Sequence, residues 1–220
     1  MSRAKIKEWD SMDINQFKDD FEFLNILKEV MLQNIADQGT TQDRNCPKID
    51  PKLSNGRKIQ VVQKFSKQRP EQMQMPLNFV GFIGTVKSKV TDDIKESIWN
   101  ADDLLTQEIK EGNPKILAYV SGERTVGGDW GNLVIFMDGA KEELAKSKVH
   151  SSVIMDVSEN YYSKVYIHNG LLPDGLQSPK YQLRNTLCIH FGENSTERKV
   201  RYRKIWSAKQ DTGSSRYVYI

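Results

Sequence analysis

The chain has 220 residues, of which 38% are hydrophobic, and its mean hydropathy is −0.61. This length allows one sizeable core, while the low hydropathy predicts that part of the chain forms solvated loop or tail. The formal net charge of +3 is too small to indicate a polyanionic partner by itself.

The cysteines and the apolar runs argue against several protein classes. Cys46 and Cys188 lie far apart in the chain, which disfavours a disulfide framework and a structural zinc site. No apolar run reaches the roughly 18 residues of a membrane span, and the N-terminus lacks the apolar centre of a signal peptide. We therefore expect a reducing, cytoplasmic setting, with no membrane partner, no metal and no bound cofactor.

An amphipathic helix is predicted within residues 1–39. Asp13 and Gln16 resemble a capping box, and Gly39 lies where the helix would end. Its apolar stripe, which Lys28 interrupts, comprises Phe17, Phe21, Leu24, Met31 and Ile35. Packing on the main domain is the simpler interpretation of this helix, and docking to a partner protein is the alternative.

Composition divides the rest of the chain into three segments. Residues 40–76 are predicted to form a linker or extended arm, because prolines and polar residues dominate them, with one possible strand from Ile59 to Phe65. An α+β core is predicted over residues 77–206. Residues 207–220 form a tail, whose last residues add an edge strand or dock as a peptide would.

The core is predicted to begin with a strand at Leu77–Val86. A helix capped by Thr91 follows and ends at Gly112. The buried stripe of this helix comprises Ile94, Ile98, Ala101, Leu105 and Ile109. Its remaining face is acidic, which is typical of a solvated surface.

A β-hairpin with a glycine-rich loop is predicted between Gly112 and Asp138. The first arm alternates Ile116, Ala118 and Val120 with Leu117, Tyr119 and Ser121, and the second alternates Leu133, Ile135 and Met137 with Val134 and Phe136. Apolar residues at both parities indicate that both faces of the sheet are covered.

The second half of the core is predicted to contain one helix and three strands. The helix runs from Ala140 to about Val157, and the first strand runs from Tyr162 to the turn pair Asn169-Gly170. Two more strands follow at residues 181–191 and 198–206.

From Leu77 to Gly170 the predicted order is strand, helix, strand, strand, helix, strand, which is the ferredoxin-like split βαβ arrangement. This order, with both sheet faces apolar, resembles the dimeric α/β-barrel proteins, which include antibiotic-biosynthesis-type monooxygenases and stress-responsive small cyclases. The resemblance implies a homodimer and an enzyme acting on a small molecule. The C-terminal strands, the N-terminal helix or a second copy of the chain are the three possible covers for the second face.

The histidines supply the candidate catalytic residues. His168 alternates with Tyr166 on one strand face, where the pair would orient a substrate with His168 as general base. His190 shares a strand face with Cys188, as a nucleophile and base would. A hydrogen-bonded histidine at a strand end is the simpler interpretation of His168. The His190 and Cys188 pair could also be half of a metal site, but no third or fourth ligand is visible, so a structural role is the simpler interpretation. Trp130, Tyr119 and His150 are the candidate ligand-binding residues, with Trp130 as a pocket wall.

The C-terminal segment is locally basic, with seven basic residues and one acidic residue from position 198 onwards. Within it, the candidate nucleic-acid contacts are Arg198, Lys199, Arg201, Arg203 and Lys204. Charged residues beside aromatic ones suit a nucleic-acid-binding strand, although an edge strand uses the same pattern to resist aggregation.

The sequence therefore supports three functions. The first is a small-molecule-binding enzyme of the dimeric α/β-barrel type, acting on an apolar or aromatic substrate by acid/base chemistry without a tightly bound metal. The second is a nucleic-acid-binding protein that uses the basic C-terminal strand. The third is a non-enzymatic interaction protein that docks a partner through its N-terminal helix. Whether the protein is an enzyme stays open at this point.

Overall fold

The computed structural model describes residues 6–8, 13–37, 59–65, 70–126, 128–140, 154–192, 200–206 and 218–220. Within these ranges the architecture is α+β, with one large sheet and helices on both of its faces. The helices are α1 (Lys18–Asp37), α2 (Asp92–Glu111) and α3 (Ile154–Tyr161). The strands are β1 (Ile6–Glu8), β2 (Ile59–Gln63), β3 (Leu77–Val86), β4 (Ile116–Glu123), β5 (Trp130–Phe136), β6 (Tyr162–Leu172), β7 (Gln182–His190), β8 (Val200–Ile205) and β9 (Val218–Tyr219).

The strand order across the described sheet is β1-β8-β7-β6-β3-β5-β4-β2, and β9 pairs with β7. The seven strands from β2 to β8 are antiparallel to their neighbours, whereas the short β1 runs parallel to β8. The hairpin strands β4 and β5 and the two strands β3 and β6 lie side by side in the order β6-β3-β5-β4. This order places β3 at the centre, between β6 and β5.

Helix α1 covers one face of this sheet. Its apolar stripe packs over β2, β4 and β5, and Phe21, Leu24, Leu27 and Met31 are at most 2% exposed. Burying a side chain of this size contributes roughly 2 kcal/mol to stability. The predicted helix is thus confirmed, and it is the N-terminal helix that covers the second sheet face. Its stripe is turned inward, so it does not form the exposed apolar surface that partner docking would need.

Helices α2 and α3 lie together on the opposite face of the sheet. The predicted stripe of α2 is confirmed, since Ile98, Ala101, Leu105 and Ile109 are buried. Thr91 stands at the N-cap position but makes no side-chain capping hydrogen bond. Of the helix predicted from Ala140 to about Val157, the described residues include α3, and residues 141–153 lie outside the described ranges.

The predicted turn at Asn169-Gly170 is wrong, because β6 continues to Leu172. Strand β7 approaches so closely that a Cβ on Gly170 would lie 2.1 Å from the carbonyl oxygen of Gln182. The glycine therefore permits a close approach of two strands, with a register shift between Asn169 and Gly170, instead of a reversal of the chain.

The strict alternation predicted for the first hairpin arm also fails at its start. The pairing of β4 with β5 shifts register between Ile116 and Ala118. Leu117 therefore joins Ala118 in the cluster under α1, while Ile116 packs with Tyr119 on the other side. The second arm alternates as predicted, with Leu133 and Ile135 on the α1 side.

The remaining elements agree with the predicted strands. β2 lies within the strand predicted at Ile59 to Phe65, β7 and β8 match the last two core strands, and β9 confirms an edge strand near the C-terminus. The division into helix, arm, core and tail stays a prediction, although α1, β2 and the core strands share one packed cluster.

Candidate functional site

A cavity of about 240 Å³ lies between the sheet and the two helices α2 and α3. Strands β3, β4, β5 and β6 form its floor, and α2 and α3 form its roof. Most of the wall is apolar or aromatic: Val80, Phe82, Ile98, Ala101, Leu105, Ile109, Tyr119, Trp130, Val134, Val157, Tyr162 and Ile167. A few polar side chains converge on it: Asp102, Asn132, Ser158 and Asn169. Apolar walls with few polar groups are typical of small-molecule sites.

Asp102 is the charged group of this cavity. It lies on α2 one turn from both Ile98 and Leu105, and the residue is only 7% exposed. The Tyr119 hydroxyl donates to its Oδ1 at 2.5 Å, and the Ser121 hydroxyl donates to its Oδ2 at 2.7 Å. Burial raises the pKa of Asp102 from 3.8 to about 6, against the lowering effect of these two hydrogen bonds. Asp102 is therefore poised to change its charge near neutral pH.

Asp102 is not among the residues predicted for the site, because the acidic residues of α2 are typical of a solvated face. The available signal was helical spacing. Positions 98, 102 and 105 differ by four and three, so Asp102 falls inside the apolar stripe. An acidic residue inside a buried stripe needs hydrogen-bond donors, and the hydroxyls of Tyr119 and Ser121 provide them.

Two of the predicted ligand-binding residues line the cavity. Trp130 is 3% exposed, and its ring meets Trp99 edge-on with centroids 4.6 Å apart. Tyr119 is fully buried with its hydroxyl on Asp102, and burial together with that carboxylate raises the pKa of the phenol. The structure thus brings Trp130 and Tyr119 together. His150 lies outside the described residues.

The predicted catalytic pair is on the other face of the sheet. His168 is fully buried under α1, between the rings of Phe17 and Phe21, whose centroids are each 4.9 Å from its own. Tyr166 is half-buried beside Phe17. Neither residue lines the cavity described above. The assignment of His168 as general base stays a prediction, and it would require access to the space beneath α1.

A chain of hydrogen bonds runs through His168 and fixes its tautomer. Trp206 Nε1–H donates to Thr186 Oγ1 at 3.0 Å, and that hydroxyl lies 3.0 Å from His168 Nδ1. His168 Nε2 lies 3.3 Å from Asp20 Oδ2, and Arg124 Nη1–H donates to Asp20 Oδ1 at 2.8 Å. A neutral imidazole protonated at Nε2 satisfies every group, since Nδ1 then accepts from Thr186. Burial lowers the pKa of His168, although Asp20 acts to raise it.

The predicted His190 and Cys188 pair lies on the same side, further along the sheet. Burial raises the pKa of the Cys188 thiol to about 12, which disfavours its thiolate form, and the predicted nucleophile and base pair stays a prediction. Burial and the nearby charge of Lys164 lower the pKa of His190. The centroid of the His190 ring lies 5.9 Å from that of the Tyr202 ring. No group of three His, Cys, Asp or Glu side chains in the described ranges is arranged to hold a metal ion.

The basic strand lies at one end of the sheet. Arg203 is exposed on β8, and Lys204 stands over the Trp206 ring at 5.8 Å. The backbone of Arg201 pairs with Ile189, while Arg198 and Lys199 lie outside the described residues. The neighbouring strands β6, β7 and β8 contain Lys and Arg residues but no Asp or Glu. These three strands are therefore locally positive, while the short β1 beside β8 places Glu8 opposite Arg203 in the sheet.

Comparison of the chain with models of protein families, with curated proteins and with solved structures finds no significant match. The helices within the described residues include none with the length and apolarity of a membrane span. The functional interpretation thus depends on the site itself.

Proposed function

We propose that the protein binds an apolar or aromatic small molecule in the cavity between the sheet and the helix pair α2 and α3. The observation that supports this function best is the combination of an apolar, aromatic wall with one buried carboxyl group, that of Asp102. The cavity volume of about 240 Å³ is slightly below the range of about 300–1,000 Å³ that drug-sized ligands occupy, which favours a small ligand.

If the bound molecule reacts, Asp102 is the group placed to transfer a proton. Its pKa of about 6 suits acid/base chemistry near neutral pH, and it faces the cavity that His168 does not reach. We therefore propose acid/base chemistry through Asp102 as the enzymatic form of this function, without a tightly bound metal. Ligand binding without reaction is the simpler form.

The fold proposal that accompanies this function is a ferredoxin-like split βαβ unit at residues 77–172. The strand order β6-β3-β5-β4, with α2 and α3 on one face, supports it. A dimer of the α/β-barrel type would place a second copy over the sheet face that α1 covers in this chain. A barrel-type homodimer would require α1 to leave the sheet, so our proposal is for a site within one chain.

The test compares ligand binding by the wild type with binding by a variant in which a larger side chain fills part of the cavity. Neutral aromatic probes such as tryptophol and phenethyl alcohol would be titrated against the full chain and followed by ligand-observed NMR and thermal shift. Ala101 is 6% exposed and lines the cavity, so Ala101→Leu should fill part of it and weaken binding about tenfold or more while keeping the helix.

Leu104→Ala is the matched control, because Leu104 lies on the same helix and is 52% exposed. Its probe binding should equal that of the wild type. The proposed function fails if no apolar or aromatic probe binds the wild type, or if Ala101→Leu binds the probes as tightly as the wild type does.

Nucleic-acid binding is a second candidate, favoured by the absence of acidic residues from β6, β7 and β8. Lys and Arg residues on three adjacent strands would supply the positive charge that phosphate contacts need, with Glu8 of β1 as the acidic residue opposite Arg203. Arg203 and Lys204 are the described side chains that would carry this binding, with Arg198, Lys199 and Arg201 as their predicted neighbours.

A further inference from the structure

The described wall of the cavity contains one acidic side chain and no basic one. Asp102 is the charged side chain among the described residues that line it, and no described Lys, Arg or His shares that wall. The groups that interact with Asp102 are Tyr119 and Ser121 from β4, Tyr162 from β6 and the next residue on α2, Asp103. Each is neutral or acidic, so the described protein provides no counter-cation for an ionised Asp102.

The carboxylate nevertheless has unused hydrogen-bonding capacity. Each of its two oxygens accepts one hydroxyl donor from the protein, whereas an ionised carboxylate offers about four acceptor positions. A buried carboxylate without a paired cation is costly, and a cation that enters the same low-dielectric space interacts with it more strongly than in water.

The wall around Asp102 is suited to the same kind of ligand. Four aromatic rings line the cavity: Phe82, Tyr119, Trp130 and Tyr162. Aromatic faces attract an ammonium group through the ring quadrupole, and they also pack against an apolar body.

We infer that the cavity binds an organic amine in its ammonium form, with the nitrogen donating to Asp102 and an apolar or aromatic body against the surrounding rings. This inference depends on the proposed function, since it names the chemical class of the ligand for the same cavity. Neutral alcohols of the same shape would lack the charge interaction, which makes them the natural comparison.

The experiment is a calorimetric titration of the full chain with two matched pairs, phenethylamine against phenethyl alcohol and tryptamine against tryptophol. The pH is held well above the Asp102 pKa of about 6, so that the carboxyl group is ionised. Each amine should bind about tenfold or more tightly than its alcohol. In Asp102→Asn the two members of a pair should bind with similar affinity, because the amide keeps the shape and removes the charge.

Glu96→Gln is the matched control, since Glu96 is an exposed acidic residue on the same helix. It should retain the full preference for the amine. If Asp102→Asn does not fold, the wild type alone decides the question: amine affinity should fall roughly tenfold per pH unit below the Asp102 pKa, while alcohol affinity stays constant.

The outcomes separate the two proposals. If each alcohol binds as tightly as its amine, the inference about amines is overturned and the proposed small-molecule function stands. If the preference survives in a folded Asp102→Asn protein, Asp102 is not its source and the inference is overturned. If neither member of either pair binds, the inference fails together with the proposed function.

Discussion

At the scale of single residues, two buried titratable groups, Asp102 and His168, lie on opposite sides of the sheet. Their pKa shifts make the stability of the protein depend on pH in opposite directions. Asp102 has a raised pKa and His168 a lowered one, and burial is the main cause of both shifts. Both groups are therefore driven toward their neutral forms. The stabilising contribution of Asp102 is lost as the pH rises, whereas that of His168 is lost as the pH falls.

Asp102 should make the protein more stable at low pH. Its folded-state pKa of about 6 exceeds the ordinary 3.8, so the folded protein holds the proton more tightly than the unfolded chain. The resulting stability is fully present below about pH 3.8 and is lost as the pH rises through about 6. The free energy of unfolding of wild type relative to Asp102→Asn should fall by about 3 kcal/mol across this window.

Urea unfolding of both proteins at a series of pH values measures this difference. Other titrating groups, including His168, are common to the two proteins and cancel. A difference that does not change with pH would show that Asp102 titrates normally and is not buried as described.

His168 should be neutral and protonated at Nε2. Its lowered pKa means that its contribution is present above the ordinary value of 6.5 and is lost as the pH falls through its folded pKa. Asp20→Asn removes a carboxylate that accepts from both Arg124 and His168, and one amide oxygen cannot replace it. We expect a loss of about 2 kcal/mol in unfolding free energy and a shift in the tautomer signals of the His168 ring nitrogens in NMR.

Asp19→Asn is the control, because Asp19 is the exposed neighbour in the same first turn of α1 and makes the same contribution to the helix dipole. Its stability should change by a few tenths of a kcal/mol at most. Equal effects of the two substitutions would contradict the hydrogen-bond chain through His168.

At the scale of elements, α1 determines which sheet face is available for ligands. It covers one face over β2, β4 and β5, whereas the cavity lies between the opposite face and the helix pair. The packing of α1 is therefore the main structural reason that the site lies beside Asp102 and not beside His168.

The packing of α1 can be tested with one buried and one exposed residue. Leu24 is fully buried and Ile26 is 40% exposed on the same helix. Leu24→Ala should lower the free energy of unfolding by about 3 kcal/mol, because it removes a packed side chain and leaves a cavity, and Ile26→Ala should change it by under about 1 kcal/mol. Denaturant unfolding measures both. Similar values for the two variants would mean that α1 is not docked on the sheet in solution.

The helices and most strands were predictable because the spacing of their apolar residues follows the face that each element buries. The stripes of α1 and α2 follow helical spacing, and β5 alternates strictly, so each pattern identified its element. The errors occur where a distant chain sets the backbone. Gly170 resembles a turn residue until the carbonyl of Gln182 is seen beside it, and the register shift at Ile116 depends on pairing with β5.

The site was less predictable than the fold for a related reason. Which face of β6 meets a cavity depends on where α1 docks, more than a hundred residues earlier in the chain. The sequence pattern predicts that His168 and Tyr166 share one strand face, but it does not predict which element covers that face. Trp130 and Tyr119 were identified because aromatic residues near a loop or on a doubly apolar strand suit cavity walls on either face.

At the scale of the whole molecule, the charges are distributed unevenly. Strands β6, β7 and β8 contain no Asp or Glu, and the short β1 beside β8 contains Glu8. Helix α2, by contrast, begins with Asp92 and Asp93 and is rich in acidic residues. Among these described elements, long-range attraction of an anion is thus expected to be stronger toward β6, β7 and β8 than toward α2.

Nucleic-acid binding by this end makes a clear prediction about salt. Affinity for a single-stranded oligonucleotide should fall steeply as salt is raised, because binding releases counterions. Reversal of charge at the exposed Arg203, as Arg203→Glu, should weaken binding about tenfold and reduce the salt slope by about one. Fluorescence anisotropy at several salt concentrations measures both quantities.

Lys110→Glu provides the control, since Lys110 is an exposed residue on α2, away from β8. It should leave the affinity and the salt slope close to the wild-type values. Absent or salt-insensitive binding to single- and double-stranded nucleic acid would remove this candidate function.

The contact between Asp20 and His168 spans 148 positions in the chain, and this separation has a kinetic consequence. The pairing of β6 with β3 and β7 closes shorter loops than the docking of α1, so we expect the sheet to assemble before α1 covers it. Until then the His168 ring is in contact with water and titrates near its ordinary pKa. Near pH 6, Asp102 takes up a proton on folding, so the test uses Asp102→Asn, whose refolding should release a proton at the moment α1 docks. A pH indicator in a stopped-flow mixer would time that step separately from sheet formation.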